Sequence, residues 1–486
     1  MNFIFFVPDE LRAESVGCYG HPLSRTPNMD RLAAGGTRFD QCHVQHTVCT
    51  PSRCSFMTGW YPHVRGHRTL WHLLQPDEPN VLKYLKQAGY HVYWGGKNDL
   101  FAPGSFAASV TDYRLGDRSR RALPGPSHQA LPPWEADDPR YYSFLSEPVD
   151  HLEDLGDFRQ VDGAIELLRG KPHEPFALYL PLSYPHPPYR APEPWHTMFD
   201  PAAIPSLRPA DLPDKPDFHA RIRETRGLDR LDASTLRAIN AVYLGMIGVV
   251  DTLLGQLLHA LDETGYADNT AVFYISDHGD WAGDYGLVEK WPSALDDTLT
   301  RVPFIARVPG MARGHVVAEP IELFDFMATV LDLADIPAAH THFARSLVPQ
   351  LRGEAGDPGR AAFAEGGYDP HEPGTFEGRT GPGSPFATNP VSIYYPKGRL
   401  QQDHPESVCR AAMIRTMTHK LIRRPLGVSE LYDLTHDPQE LHNRYGDAAF
   451  LAVQRELERR LLDWYVHTSD VVPWDEHPRG LPPRAA

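Results

Sequence analysis

Short apolar runs that end abruptly in ionisable residues recur along this chain. "NFIFFV" (2–7) breaks into Pro-Asp-Glu, "HVYWGG" (91–96) into Lys-Asn-Asp, "FALYLPL" (176–182) into a loop containing His186, and "TAVFYIS" (270–276) into Asp-His. Unbroken apolar runs of this length suit strands buried on both faces of a parallel sheet. Between them lie helix signals. Thr26 stands as an N-cap with Pro27 at the first helical position and Gly35 as a stop, "EPNVLKYLKQAGY" repeats the Pro-first, Gly-last pattern, and Ala233 to Glu263 is one long periodic segment. Strands alternating with helices predict an α/β domain around a large, mostly parallel sheet flanked by helices.

The pattern changes towards the C-terminus. The Pro- and Gly-rich stretch from about 353 to 398 reads as long loops, "AAMIRTMTHKLIRR" and "SELYDLT" read as strands with turns between them, and 448–466 reads as one amphipathic helix. The expectation is a catalytic α/β domain over 1–370 and a smaller α+β subdomain over 371–486, with an antiparallel sheet and a closing helix.

Composition narrows the function. The chain has 486 residues, of which 41% are hydrophobic and 23% charged, and contains no apolar run read as a membrane span. A formal charge of −16 argues against a broad grip on nucleic acid or anionic lipid. The N-terminus reads as a first strand and not as a secretion signal, and five cysteines without zinc or disulfide spacing suit a reducing compartment, so the expected location is cytoplasmic. Whether the chain forms a homo-oligomer is left open.

The strand ends carry the chemistry. In open parallel sheets ligands bind beyond the carboxyl ends of the strands. Asp9, Glu10, Asp277 and His278 would supply three carboxylates and an imidazole there, a set suited to a divalent cation with positions open for substrate. Lys97 and His186 add a positive charge and a proton donor, an assembly suited to an anionic tetrahedral ester. One further stretch, "VCTPSRCSFMTG" (48–59), places Thr50 to cap and Pro51 to start a helix, which puts Cys49 at the positive end of the helix dipole with Arg53 one turn away.

"CTPSRCSFMTG" matches the signature C-x-P-S-R-x-x-x-x-T-G of the type I sulfatases, a branch of the alkaline-phosphatase superfamily. The chain resembles that family also in "DELRAESVGCYG", "PHPPY", "SDHGDWAGDYGLVEKWP" with "RVPFIARVPG", and "HKLIRR" followed by "ELYDLTHDPQELHN", in the family's order. The resemblance implies an alkaline-phosphatase-like fold and a sulfuric ester hydrolase. It implies that a formylglycine-generating enzyme oxidises Cys49 to an aldehyde whose hydrate is the nucleophile: one hydroxyl attacks sulfur and expels the alcohol, and the other then collapses to the aldehyde and expels sulfate. By the same resemblance Asp9, Glu10, the modified Cys49, Asp277 and His278 hold one divalent ion, calcium first and manganese as the alternative. Arg53 orients the hydrate, Lys97 and Lys290 bind sulfate oxygens, and His186 sits by the leaving oxygen. The substrate would be a small-molecule or saccharide sulfate ester.

Three positions depart from the family pattern. Glu10 stands where Asp is usual. His278 replaces the common Asn, as in branches resembling choline sulfatases and phosphonate monoester hydrolases. Asn98-Asp99 replaces the end of Lys-x-His, which removes a histidine and adds to the substrate-binding region an Asp99 that should repel an anion unless paired or facing a cation. A phosphonate monoester or phosphodiester hydrolase on the same residues is therefore the competing enzyme reading. A binding protein on a decayed scaffold is the non-enzymatic one, and the retained Cys49, Arg53, Lys97, His186 and Lys290 speak against it. His67 and His72 could line the pocket but carry no signal above the background of 25 histidines.

Overall fold

The computed structural model describes residues 1–113, 115, 132–369, 377 and 389–471. Its centre is a seven-stranded sheet in the order β3-β4-β1-β5-β6-β2-β7, formed by β1 (Asn2–Val7), β2 (Thr37–His43), β3 (His91–Trp94), β4 (Phe176–Pro181), β5 (Thr270–Ile275), β6 (Arg301–Arg307) and β7 (His315–Glu322). All pairings are parallel except those of β6, which runs antiparallel to both β5 and β2. A second sheet, β11-β10-β9-β8, is antiparallel and contains β8 (Ala362–Gly366), β9 (Ala411–Arg415), β10 (His419–Arg423) and β11 (Glu430–Asp433). The Leu451–Thr468 helix packs on it. This is the α/β arrangement that the residue pattern predicts, and the alkaline-phosphatase-like architecture that the sulfatase resemblance implies.

The unbroken apolar strands follow from burial on both faces. Phe3, Phe5 and Val7 of β1 enter one core cluster, while Ile4 and Phe6 enter the other, and every residue of β1, β4 and β5 is buried. The 31-residue Ala233–Glu263 helix covers the second face, together with the Gly156–Arg169 helix. Contrary to the reading of the sequence, that helix is long and apolar enough by length and composition to cross a membrane; 83% of its apolar window is nevertheless buried against protein, as in a core helix.

Local signals located some boundaries and missed others. The second Pro-first helix begins later than expected: Val81–Gln87 is capped by Asn80, whose side chain accepts from Lys83 N at 2.9 Å, so Pro79 lies outside it. The 353–398 stretch contains β8 and the start of the Tyr395–Asp403 helix; positions 370–376 and 378–388 of it lie outside the described residues. The small sheet thus takes its first strand from before residue 371. Strands β2 and β7, which complete the sheet beyond antiparallel β6, had no distinctive local pattern: β2 is "TRFDQCH" and β7 is "HVVAEPIE".

Candidate active site

Four neighbouring parallel strands, β3, β4, β1 and β5, end side by side, and their carboxyl ends deliver the site. Asp9 N donates to Tyr184 O at 3.1 Å and Lys97 N to Pro181 O at 2.9 Å, which ties the loops after β1 and β3 to the end of β4. Cys49 arrives from beyond β2, and Lys290 from the β5–β6 connection. The ten-residue Cys49–Thr58 helix, buried throughout, starts at Cys49 itself. Val48, in extended conformation, is its N-cap, so Thr50 does not cap as expected and Pro51 falls inside the first turn, where no intrahelical donor is lost. Cys49 still lies at the positive end of the helix. Ser52 Oγ donates to Asp277 O at 2.5 Å and anchors this turn to the end of β5.

Ligand atoms of Asp9, Cys49, Asp277 and His278 all lie within 4.8 Å of one another, and all four residues are buried. Cys49 Sγ is 3.2 Å from His278 Nε2 and 3.6 Å from Asp9 Oδ1. His278 Nδ1 sits 2.9 Å from Gly279 O; donating that proton leaves the Nε2 lone pair facing the cluster. Burial depresses the His278 pKa, with Asp277 opposing, which favours the neutral ring a cation requires. Arg53 spans both carboxylates, with Nε 2.8 Å from Asp277 Oδ2 and Nη2 3.3 Å from Asp9 Oδ2. Burial pushes the Asp9 carboxyl up, but Lys97 and then Arg53 hold it well below the usual range. Two carboxylates and one imidazole nitrogen at this spacing fit a divalent cation bound at 2.0–2.6 Å from each donor.

Glu10 is turned elsewhere. Its backbone is left-handed (φ 67°), held by its N–H to Asp277 Oδ1 at 3.1 Å and by Tyr243 OH donating to Glu10 O at 2.7 Å. Its Oε2 meets Lys290 Nζ at 3.1 Å and His186 Nε2 at 3.3 Å, while Oε1 is buried without a hydrogen-bond partner among the described residues. Burial raises the Glu10 pKa, and Lys290 works against that rise. The tight group of four excludes Glu10, whose longer side chain reaches the lysine side of the site.

Lys97 Nζ sits between Asp9 Oδ2 (2.5 Å) and Asp99 Oδ2 (2.7 Å), so Asp99 is paired. Lys290 Nζ is 2.8 Å from His186 Nε2, and His186 Nδ1 is 2.7 Å from Pro187 O. These groups open on a cavity of about 310 Å³ that also touches Trp71, Glu289, Glu377 and Lys397. None of these four carried a sequence signal as a site residue: Glu377 and Lys397 belong to the stretch read as loop, and at the cavity Lys397 Nζ bridges Glu289 (3.0 Å) and Glu377 (3.2 Å). His67 and His72 do not line the cavity. Buried His67 instead meets His72 O at 2.7 Å and Glu78 at 3.3 Å.

Such a cluster beside a helix-terminal cysteine, at the carboxyl ends of this sheet, defines a phosphoryl- or sulfuryl-ester hydrolase site of the alkaline-phosphatase type. The chain belongs to the sulfatase family of enzymes: residues 1–336 match the family named Sulfatase, and residues 391–467 match the C-terminal region of N-sulphoglucosamine sulphohydrolase. It is 26% identical to the multifunctional alkaline phosphatase superfamily protein PehA of Trinickia caryophylli, over 99% of this chain and 96% of that one. It is 30% identical to iduronate 2-sulfatase of Mus musculus, over 74% and 69% of the two chains. The solved phosphonate monoester hydrolase of Silicibacter pomeroyi is 26% identical and superposes with a TM-score of 0.74, covering 96% of this chain and 95% of that one.

Proposed function

We propose that the protein is a metal-dependent sulfuric ester hydrolase whose nucleophile is a formylglycine made from Cys49 by a formylglycine-generating enzyme. The observation that carries this reading is the position of Cys49 Sγ, 3.2 Å from His278 Nε2 at the start of a buried helix, inside the group of cation-ready donors. When present, the formylglycine supplies the nucleophilic oxygen and the cation supplies Lewis acidity. Asp9, Asp277 and His278 hold the ion, with calcium first by its oxygen-rich shell and manganese as the alternative; Glu10 approaches from the Lys290 side.

The chain's own residues do the rest. Arg53 fixes the two carboxylates. Lys97, whose pKa burial lowers but Asp9 and Asp99 raise well above normal, stays charged, and Lys290 Nζ lies 3.1 Å from Glu10 and 3.6 Å from Glu289; both ammonium groups bind the non-bridging oxygens of the ester. His186, with Nδ1 directed at Pro187 O, accepts from Lys290 Nζ at Nε2 (2.8 Å) and so holds that ammonium beside the leaving oxygen. The substrate is a small-molecule or saccharide sulfate ester, in keeping with the name of the iduronate 2-sulfatase relative.

A phosphonate monoester hydrolase is the second reading, favoured by His278 and by the Silicibacter pomeroyi structure. Peptide mass spectrometry of protein made in a host with the converting enzyme tests the nucleophile: aldehyde at Cys49 is expected, and fully active protein carrying only thiol refutes it. Comparing kcat/KM for nitrophenyl sulfate, phenylphosphonate and phosphate separates the two readings, each tenfold ratio being about 1.4 kcal/mol of differential transition-state binding. Sulfate should lead; a preference for the phosphonate promotes the second reading.

A further inference from the structure

A second cavity, of about 390 Å³, opens at the other end of the sheet. Arg307, the last residue of β6, pairs with Val272 near the start of β5, whereas Asp277 lies beyond the end of β5. The five residue steps from Val272 to Asp277 span about 16 Å when extended. This cavity is therefore separate from the one at Cys49.

Three guanidiniums line it: Arg31 from the last turn of the Pro27–Ala34 helix, Arg307, and Arg313 from the β6–β7 connection. The helix dipole accounts for the place of Arg31 but not for the other two. Among the described residues, no ion pair within 4.0 Å joins any of the three to a carboxylate. Arg307 Nη2 is buried and has no hydrogen-bond partner among the described residues. Burial depresses the Arg307 pKa, Asp262 opposes this, and Arg31 and Arg313 add to it. The chain has 47 basic against 63 acidic residues, so three facing cations are not the by-product of a basic surface.

We infer that this cavity binds a tetrahedral oxyanion, free or as the phospho or sulfo group of a small molecule, at a site distinct from the catalytic centre. The planar fork of arginine offers paired donors to two oxygens of phosphate or sulfate, and one anion among three guanidiniums turns their mutual repulsion into attraction. Asp262 and Asp268, which line the same cavity, are suited to accept hydrogen bonds from hydroxyls of an attached group.

The test is calorimetric titration of the metal-replete protein at low ionic strength with inorganic phosphate, inorganic sulfate and glucose 6-phosphate. Wild type is compared with Arg307→Met and with the double variant Arg31→Met/Arg313→Met, whose replaced side chains are exposed and leave the fold intact. For at least one probe, wild type should show one more site than the variants, or a site about tenfold tighter, with ester turnover retained in all three proteins. Binding of an inorganic anion identifies a free-anion site, and binding of glucose 6-phosphate alone identifies an esterified ligand. Equal stoichiometry and affinity in wild type and both variants, for all three probes, overturns the proposal.

Discussion

Lys97 Nζ is held between two carboxylates, Asp9 Oδ2 at 2.5 Å and Asp99 Oδ2 at 2.7 Å. Asp9 belongs to the cation-ready group, so a bound ion draws on its charge and leaves Asp99 as the lysine's remaining counter-charge. That added negative charge disfavours a doubly charged phosphate monoester relative to a singly charged sulfate ester. Asp99→Asn should therefore raise the phosphate-to-sulfate ratio of kcat/KM by about tenfold, or 1.4 kcal/mol. An unchanged ratio across the nitrophenyl esters contradicts the charge argument.

Removal of the ion should abolish turnover and lower the melting temperature, since a ligand at 1,000 times its Kd contributes about 4 kcal/mol to the native state. Restoration by calcium, and less so by manganese, is the expected reversal. Asp277→Ala should also be inactive, and destabilised by about 3–5 kcal/mol, because it leaves the buried Arg53 guanidinium without its 2.8 Å partner. Full activity after exhaustive chelation would remove the cation from the mechanism.

Gly96, just before Lys97, has φ 138°, and a Cβ there would lie 2.0 Å from Pro181 O. Gly96→Ala must push the end of β3 away from β4 and shift Lys97 with it. The expected cost is about 3 kcal/mol in stability, and a displacement near 1 Å should lower kcat/KM by about 100-fold. Denaturant melts and steady-state kinetics measure both, and wild-type values in both would show that the strand ends tolerate the added methyl.

Asp157 accepts from Ser183 N and Tyr184 N at 2.8–3.0 Å and so fixes the loop that carries His186. Burial raises its pKa to about 6, against those two backbone donors. The native state then binds more protons than the unfolded chain between pH 4 and pH 6, so this group's contribution is present below that window and is lost as pH rises through it. Relative to Asp157→Asn, wild-type stability should fall by up to about 3 kcal/mol across the window and stay level above it. A flat difference between pH 4 and pH 6 would exclude this titration.

Much of the site was legible before any fold was known. Unbroken apolar strands, the helix signals between them and the carboxyl-end rule put Asp9, Lys97, His186 and Asp277 at one edge, because those are local patterns joined by one general property of parallel sheets. The geometry of each group was not legible. Asp99, expected to repel an anion unless paired, lies 2.7 Å from Lys97 Nζ, and Glu10, expected among the donors of the cation, meets Lys290 Nζ at 3.1 Å.

The residue pattern by itself determined the class of sheet, which ends of its strands carry chemistry, and the place of Cys49 at the start of a helix. Tertiary structure alone decided how β6 joins β2 and β7 to that sheet, which carboxylates share the close donor group with Cys49 and His278, and how Glu377 and Lys397 reach the cavity from a stretch without local signals. The physical reason is range. Periodicity and capping act over a few residues, whereas these contacts join groups as far apart as Glu10 and Lys290 or Glu289 and Lys397, and their strength depends on shared burial that no local window of residues contains.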